Sequence, residues 1–386
     1  MKKSLFALAA VGAFAGAAQA QSSVTVYGIL DVGYVGANEK DTISGTTTKQ
    51  QVSGFGQSAQ QSSRLGFRGT EDLGGGMRAF FTIETDLTPQ ASTMSGVTNR
   101  QSFVGLGQKG IGQISFGTQY TTIHNALAAT DPGQINNIAG NVLNPQTSGV
   151  TGTFGSSSSD GNNLAYTVRA GSMLAASTDT FAGFKGNAFY VQNNQNSTQN
   201  GTGTTTSGGN VNNTGWGLGV DYRWQKLLVT ANYQSFKGES NQSTAALSLS
   251  SQGALTVVNA QDNQMYFGGM YDFGILKAYA GYMTRKITDN FNSNNYLKRS
   301  AQQIGVRGNL TKTVEGWASV GTGRFTATGA SAPTVNFNGW QLGSNYWLSK
   351  RTNLYAIYGQ EQTSSVSGSN NSYGVSNYAV GVRHTF

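Results

Sequence analysis

Cysteine is absent from the chain, and histidine and proline are scarce, with 2 and 4 occurrences in 386 residues. Without cysteine, disulfides cannot hold the fold, so extended backbone hydrogen bonding or a core must stabilise it. The only histidines, His124 and His384, form no clustered pattern of metal ligands. Gly105–Gly110 matches G-x-G-x-x-G by letter, but another alternating segment follows where a dinucleotide site needs a helix. We therefore expect no metal and no cofactor.

Charge is also sparse, because only 11% of the residues are Asp, Glu, Lys or Arg. The formal net charge is +8, yet the basic residues occur singly rather than in runs. A nucleic-acid-binding surface needs clustered Lys and Arg. The sequence therefore indicates no nucleic-acid partner.

The N-terminal twenty residues have the pattern of a secretory signal peptide. Lys2 and Lys3 precede an apolar run from Leu5 to Ala18, and Ala18-Gln19-Ala20 fits the A-x-A cleavage pattern. Past Ala20 the sequence contains no run of about 18 apolar residues, the length that a transmembrane helix needs. We expect residues 1–20 to be cleaved and residues 21–386 to form one domain.

Segments of about ten residues with period-two alternation recur along the mature chain. In Trp216–Trp224, for example, Trp, Leu, Val and Tyr alternate with Gly, Asp and Arg. We count sixteen such segments, the sixth over 162–171, where Leu164, Tyr166 and Val168 are the apolar positions. Alternation also explains a mean hydropathy of −0.31, since a membrane barrel needs only every second residue to be apolar.

The connections between these segments alternate between short and long. Short ones include 108–112 and 310–312, and long polar ones include 37–61, 119–161 and 193–213. An outer-membrane barrel has short turns on one rim and long loops on the other, whereas a soluble sandwich has no such rule. Tyr and Trp at segment ends also suit interfacial girdles: Tyr27, Tyr222, Trp224, Tyr282, Trp340, Tyr346 and Tyr378. We therefore predict an all-β transmembrane antiparallel barrel of 16 strands with long extracellular loops.

Four segments resemble the general porins of β-proteobacteria, the neisserial-type family: Ser23–Gly28, Ser63–Gly76, Asn99–Leu106 and Gly381–Phe386. The resemblance implies a homotrimer in the outer membrane of a Gram-negative bacterium, in contact with its lipids and lipopolysaccharide. It implies that Phe386 is an assembly signal for the barrel-assembly machinery. It also implies that one long loop, 118–162, folds inward and constricts the pore.

The resemblance further implies that Arg64, Arg100 and Arg169 line one wall of the constriction. The alternation places Arg64 and Arg169 opposite the apolar face, and it places Arg100 with Ser102, opposite Phe103. By the same count two more arginines, Arg68 and Arg78, point inward. They could instead be ordinary lumen charges paired with Glu84 and Asp86, and the sequence leaves both readings open.

The inward loop carries only two acidic residues, Asp131 and Asp160, to oppose these arginines. The barrel and the resemblance imply a passive, water-filled channel for small neutral and anionic solutes, and this imbalance predicts that the channel prefers anions. The sequence leaves open a substrate-specific organic-anion channel and an adhesin or receptor barrel that acts through its loops. An enzyme would need His124, with Asp131 seven residues on, as its base, and a complete catalytic constellation is missing.

Overall fold

The computed structural model describes residues 23–89, 98–146, 163–197, 209–240, 248–249, 255–256, 259–328, 334–365 and 371–386. The predicted signal peptide, residues 1–20, and Asp160 lie outside the described residues. No helix in the described ranges is long and apolar enough to cross a membrane.

The described residues form nineteen strands and one short helix, α1 (Thr122–Thr130). The strands are β1 (Ser23–Ile43), β2 (Thr46–Gln57), β3 (Arg64–Gly74), β4 (Met77–Asp86), β5 (Asn99–Gln108), β6 (Gly112–Tyr120), β7 (Arg169–Thr178), β8 (Phe184–Ser197), β9 (Gly209–Trp224), β10 (Leu227–Ser240), β11 (Ser248–Leu249), β12 (Leu255–Thr256), β13 (Ala260–Asp272), β14 (Leu276–Asp289), β15 (Tyr296–Asn309), β16 (Val314–Ala327), β17 (Val335–Trp347), β18 (Thr352–Ser365) and β19 (Ser372–Thr385). Sixteen of them pair with their neighbours in antiparallel register and close into a barrel, as predicted.

The seam of the barrel lies at β1, which pairs with β19 on one edge and with two strands on the other. Its first part, Ser23–Ile29, pairs with β3, and its later part, Val32–Ile43, pairs with β2. Between β2 and β3 the chain leaves the wall, and Gln57–Gln60 are buried inside the barrel. The polar stretch 37–61, predicted as a loop, is therefore largely strand, and β2 is an extra strand beyond the sixteen.

Phe386 completes this seam at the end of the chain. Its backbone N–H donates to Gly28 O over 3.1 Å, and Gly28 N–H donates back to Phe386 O over 3.2 Å. The ring lies against Gly28, where a Cβ would collide with it. The residue predicted as an assembly signal therefore also takes part in closing the sheet.

Alternating exposure separates the two faces of the wall. Val104, Leu106 and Phe116 are 46–59% exposed and point outward, where lipid would lie. The predicted girdle residues on β9, β14, β17 and β19 also belong to this outward face. Tyr27 does not, because its hydroxyl donates to Glu84 in the lumen over 3.1 Å.

The sixth predicted strand is misplaced by seven residues. Residues 163–168 precede the strand and belong to the connection between β6 and β7, and β7 begins only at Arg169. Tyr166 is fully buried in a cluster inside the barrel with Ile123, Leu127 and Leu143 of the same loop. The apolar alternation around Tyr166 therefore marks packing of a loop on the inner wall, not a lipid-facing strand.

A row of inward-facing glycines, one on each of six consecutive strands, makes room for this loop. The row is Gly268, Gly281, Gly305, Gly321, Gly339 and Gly359, on β13 to β18. A Cβ at each of them would collide with an atom of residues 130–143, for example Thr130 Oγ1 at Gly268 and Ala139 O at Gly359. We call this row the glycine trough. It lets the loop backbone approach the wall more closely than any side chain would permit.

Three wall arginines fasten the loop in the trough through its carbonyl oxygens. Arg285 donates to Asn163 O, Arg299 to Val142 O and Arg307 to Pro132 O, over 2.5, 2.5 and 2.8 Å. Arg285 also pairs with Asp262 at 2.6 Å, and Arg307 pairs with Glu315 at 2.6 Å. Charge-assisted hydrogen bonds of this kind are about twice as strong as neutral ones.

Filling the trough should push the loop from the wall. We expect Gly359→Val to disturb the docking of residues 138–139, because the new side chain meets Ala139 O and Ile138. Single-channel conductance in a planar bilayer should therefore change relative to the native chain. Gly374→Val on the neighbouring strand β19 is the matched control, since a Cβ there has no atom closer than 3.8 Å. Equal conductance of native and Gly359→Val channels would contradict a tightly docked loop.

Candidate functional site

The described part of the inward loop packs along one side of the lumen. Helix α1 packs against strands from β8 to β14, and residues 131–142 lie along β15 to β18. The inner face of β3, β4 and β5 has no comparable loop packing among the described residues. Arg64, Arg100 and Arg169 all lie on this side, on β3, β5 and β7. The three arginines therefore lie away from the strands along which the described part of the loop docks.

Arg64 and Arg100 share a carboxylate. Arg100 Nε donates to Glu84 Oε1 over 2.8 Å, its Nη1 donates to Asp86 over 2.6 Å, and Arg64 Nη1 lies 3.6 Å from Glu84 Oε1. Arg100 also donates to the hydroxyl of Tyr120 over 2.9 Å. The structure thus brings these predicted residues together.

Arg100 points inward for a different reason than alternation suggested. Phe103, which the alternation placed outside, lies opposite Thr82 on the inner face, while Val104 is 59% exposed outside. Simple alternation from Val104 would turn Arg100 outward. A β-bulge resets the face, because Glu84 pairs with Gln101 and Thr85 pairs with Asn99, which leaves Arg100 without a partner residue. The bulge therefore delivers the guanidinium to the lumen.

Arg169 has a less complete set of partners. Its guanidinium carbon lies 5.9 Å from the centre of the Tyr120 ring, and Tyr120 is its partner residue where β6 meets β7. Among the described residues Arg169 makes no ion pair, and its Nη1 is buried without a hydrogen-bond partner. Arg169 therefore carries the least compensated of the three charges.

A column of rings connects this wall to the loop. Tyr120 stacks on His124 at 4.2 Å between centroids, and His124 Nδ1 and Tyr166 Oη are 3.0 Å apart. Burial, and then the charges of Arg169, Arg100 and Arg64, lower the pKa of His124 to about 3. The imidazole is therefore neutral at physiological pH and adds no charge to the constriction.

Asp131, the predicted acid of the loop, lies away from the arginines. It ends α1 and is 2% exposed, and its carboxylate accepts from Gln303 Nε2 over 3.0 Å and from Ile135 N over 2.7 Å. Burial raises its pKa to about 6. His124 is bonded to Tyr166 and not to Asp131, so the candidate acid–base pair does not form. Asp131 does not present its charge to the channel.

Arg68 and Arg78 lie nearer the short-turn rim, and neither makes an ion pair with a described residue. Arg68 sits 5.3 Å from the centre of the Tyr27 ring. Arg78 sits 5.8 Å from the centre of the Phe80 ring and donates to Gln113 over 2.8 Å. The pairing with Glu84 and Asp86 that the sequence allowed for them belongs instead to Arg100 and Arg64.

The inward aromatic rings of this wall were not predicted from the sequence. Phe80 lies on β4 with Arg78 and Thr82, and Phe103 faces Thr82 across the strand pair. The inward position of Phe80 could have been predicted, because Phe80 lies two residues after Arg78 on β4 and the alternation already placed Arg78 inward. The inward position of Phe103 could not be predicted, because the bulge at Arg100 breaks the alternation along β5.

Comparison with known proteins agrees with this architecture. The sequence profile of the family described as Gram-negative porin matches residues 7–365. An outer membrane porin protein of Bordetella pertussis is 28% identical over 433 aligned residues, which cover 100% of both chains. Outer membrane porin protein 32 of Delftia acidovorans is 40% identical over 34% of this chain and 35% of its own.

Among solved structures, the anion-selective porin from Comamonas acidovorans superposes with a TM-score of 0.64 at 21% identity, covering 95% of this chain and 100% of that one. This likeness concerns the fold. With the family profile spanning nearly all of the barrel, the chain belongs to the Gram-negative porin family.

Proposed function

We propose that this outer-membrane porin conducts small hydrophilic solutes and ions passively and prefers anions. The observation that carries this proposal is the set of arginines on β3, β5 and β7. Among the described residues, Arg64, Arg100 and Arg169 face two carboxylates, those of Glu84 and Asp86. A surplus of positive charge in a narrow lumen raises the local concentration of anions. The solved porin of similar fold from Comamonas acidovorans is itself described as anion-selective.

The described part of the loop adds no negative charge beside the arginines. Asp131 is buried and hydrogen-bonded away from them, and His124, which lies next to them, is neutral. Guanidinium groups remain charged at any relevant pH and are weakly hydrated, so successive arginines offer an anion partners without a deep trap. We propose that residues 118–162 narrow the pore.

We further propose a homotrimer that contacts outer-membrane lipids and lipopolysaccharide and is assembled with the aid of Phe386. Strands β4 to β7 have 9 or 10 residues, whereas β8 to β10 and β13 to β19 have 13 to 16. The wall is therefore low on one side, where a neighbouring subunit could cover it. Chemical crosslinking of the folded protein should give a trimer, and a monomer alone would contradict the proposal.

Conductance measurements distinguish the proposed porin from two other functions. An adhesin or receptor barrel that acts through its loops would be electrically silent in a planar bilayer, whereas a porin conducts. A substrate-specific organic-anion channel would show saturable block by its solute. The fold and the family are those of a channel rather than an enzyme.

The first prediction of the proposed function concerns the sign of ion selectivity. Under a KCl gradient the zero-current potential should have the sign of chloride permeation, and Arg169→Gln should shift it toward cations. One unit charge about 6 Å from a passing ion in water contributes about 0.7 kcal/mol, or about threefold in relative permeability. Arg100→Gln should shift it further, because Glu84 and Asp86 then lose their main counter-charge.

The matched control is Arg351→Gln, which removes the same charge from an exposed turn outside the lumen. It should leave the zero-current potential unchanged. A cation-selective native channel would overturn the proposal outright. Equal shifts from Arg351→Gln and Arg169→Gln would show that net charge, rather than the constriction, sets the potential.

A second prediction concerns pH. Because the pKa of His124 in the folded protein is about 3, below the ordinary value, its imidazole stays neutral as pH falls from 8 to 5. The anion preference of the native channel and of His124→Gln should therefore have the same pH dependence over this window. If His124 became protonated near pH 6, the native channel alone would grow more anion-selective on acidification, and that divergence would contradict the assignment.

A further inference from the structure

Two phenyl rings line the bare wall of the lumen just below the arginine cluster. Phe80 and Phe103 pack edge to face, with 6.4 Å between ring centroids and 79° between ring planes. Both are partly exposed, and neither belongs to the buried hydrophobic clusters of the described residues. The rings therefore present part of their apolar surface to the aqueous path.

The strand register places these rings between rows of guanidinium groups. On β4 the inward residues in order are Asp86, Glu84, Thr82, Phe80 and Arg78. Asp86 lies opposite Arg64, and Thr82 lies opposite Arg68 on one side and Phe103 on the other. Successive inward positions are about 7 Å apart along a strand. A solute descending this wall thus meets a positive charge, then aromatic surface, then a positive charge again.

We propose that this wall is a track for anions that carry an aromatic ring, namely aryl carboxylates. The proposal rests on the anion preference proposed above and specifies the solute class within it. The carboxylate would pass between Arg64, Arg68 and Arg78 while the ring slides over Phe80 and Phe103. No covalent step is involved.

The chemistry of the wall favours this class over its alternatives. Aromatic pairs in edge-to-face or offset geometry gain about two- to tenfold in a binding constant beyond the burial of their area. The guanidinium groups would repel an aromatic cation, and a neutral arene would lack their attraction. A simple carboxylate such as acetate would use the arginines alone.

Arg68 and Arg78 are suited to bind a carboxylate transiently rather than tightly. Each lies against a ring, Tyr27 for Arg68 and Phe80 for Arg78, and neither is neutralised by a described carboxylate at ion-pair distance. Stacking on a ring holds a guanidinium plane in place while leaving N–H groups for an incoming anion. The cluster of Arg64 and Arg100 is partly satisfied by Glu84, which prevents a deep trap at the top of the track.

The test compares three solutes on single channels of the purified full chain. Benzoate and cyclohexanecarboxylate carry the same charge and a six-membered ring, but only benzoate is aromatic, and acetate lacks the ring. Added to KCl, benzoate should reduce the chloride current at a concentration at least about threefold lower than cyclohexanecarboxylate does, given the strength of aromatic pairing. Acetate should be the weakest of the three.

Paired variants locate the effect. Phe80→Leu with Phe103→Leu should remove the difference between benzoate and cyclohexanecarboxylate, whereas Phe80→Tyr with Phe103→Tyr should keep it. The matched control is Phe81→Leu with Phe116→Leu, which changes the same residue type on the outer face of β4 and β6. That control should behave as the native channel.

The outcomes distinguish a failure of the anion preference from a failure of the track. A cation-selective zero-current potential would overturn the anion preference and the track together. An anion-selective channel that treats benzoate and cyclohexanecarboxylate alike would overturn the track and leave the proposed function standing. Equal loss in the outer-face control would also overturn it. Should the double Leu variant fail to fold, Phe103→Leu alone against the double Tyr variant gives the same comparison.

Discussion

Closure of the sheet is the constraint on which the rest of the molecule depends. In lipid an unpaired backbone N–H or C=O has no water to bond, so a sheet can span the membrane only if its first and last strands meet. Here β1 meets β19 over fourteen residue pairs from Ile29 to Thr42, and it meets β3 and β2 on its other edge. Closure gives each of the sixteen barrel strands one face toward lipid and one toward the lumen, and so decides which environment each of their side chains meets.

That assignment explains why so weakly hydrophobic a chain can occupy a membrane and still carry a structured interior. Outward positions need only be apolar, whereas inward ones are freed for three other tasks. Glycines of the trough admit the loop, arginines of β14 and β15 hold it, and arginines of β3, β5 and β7 face the path. The buried cluster around Tyr166 and Tyr266 lies between loop and wall, so the barrel has its core inside the lumen rather than between sheets.

Much of this could be predicted from the sequence because period-two alternation is a local signal. Strand number, the alternation of short and long connections and the inward position of Arg64 all follow from it. The failures arise where non-local packing imitates or interrupts the period. Residues 163–168 alternate because they line a pocket on the inner wall, and Arg100 turns inward only through a bulge defined by its partner strand β4. The glycine trough could not be predicted from the sequence, because a glycine in a strand does not show which part of the chain will pack against it.

The division of labour among the arginines is equally non-local, and it decides the electrostatics of the channel. Arg285 and Arg307 are as inward-facing as Arg64, but Asp262, Glu315 and loop carbonyls already satisfy them. The carboxylates of Asp262 and Glu315 neutralise their charges, and the loop carbonyls accept their remaining N–H groups. On the opposite wall Arg68 and Arg169 have no ion-pair partner among the described residues. The lumen is therefore electrostatically asymmetric: where the loop docks, wall carboxylates neutralise Arg285 and Arg307, whereas Arg68 and Arg169 on the other wall have no described carboxylate at ion-pair distance.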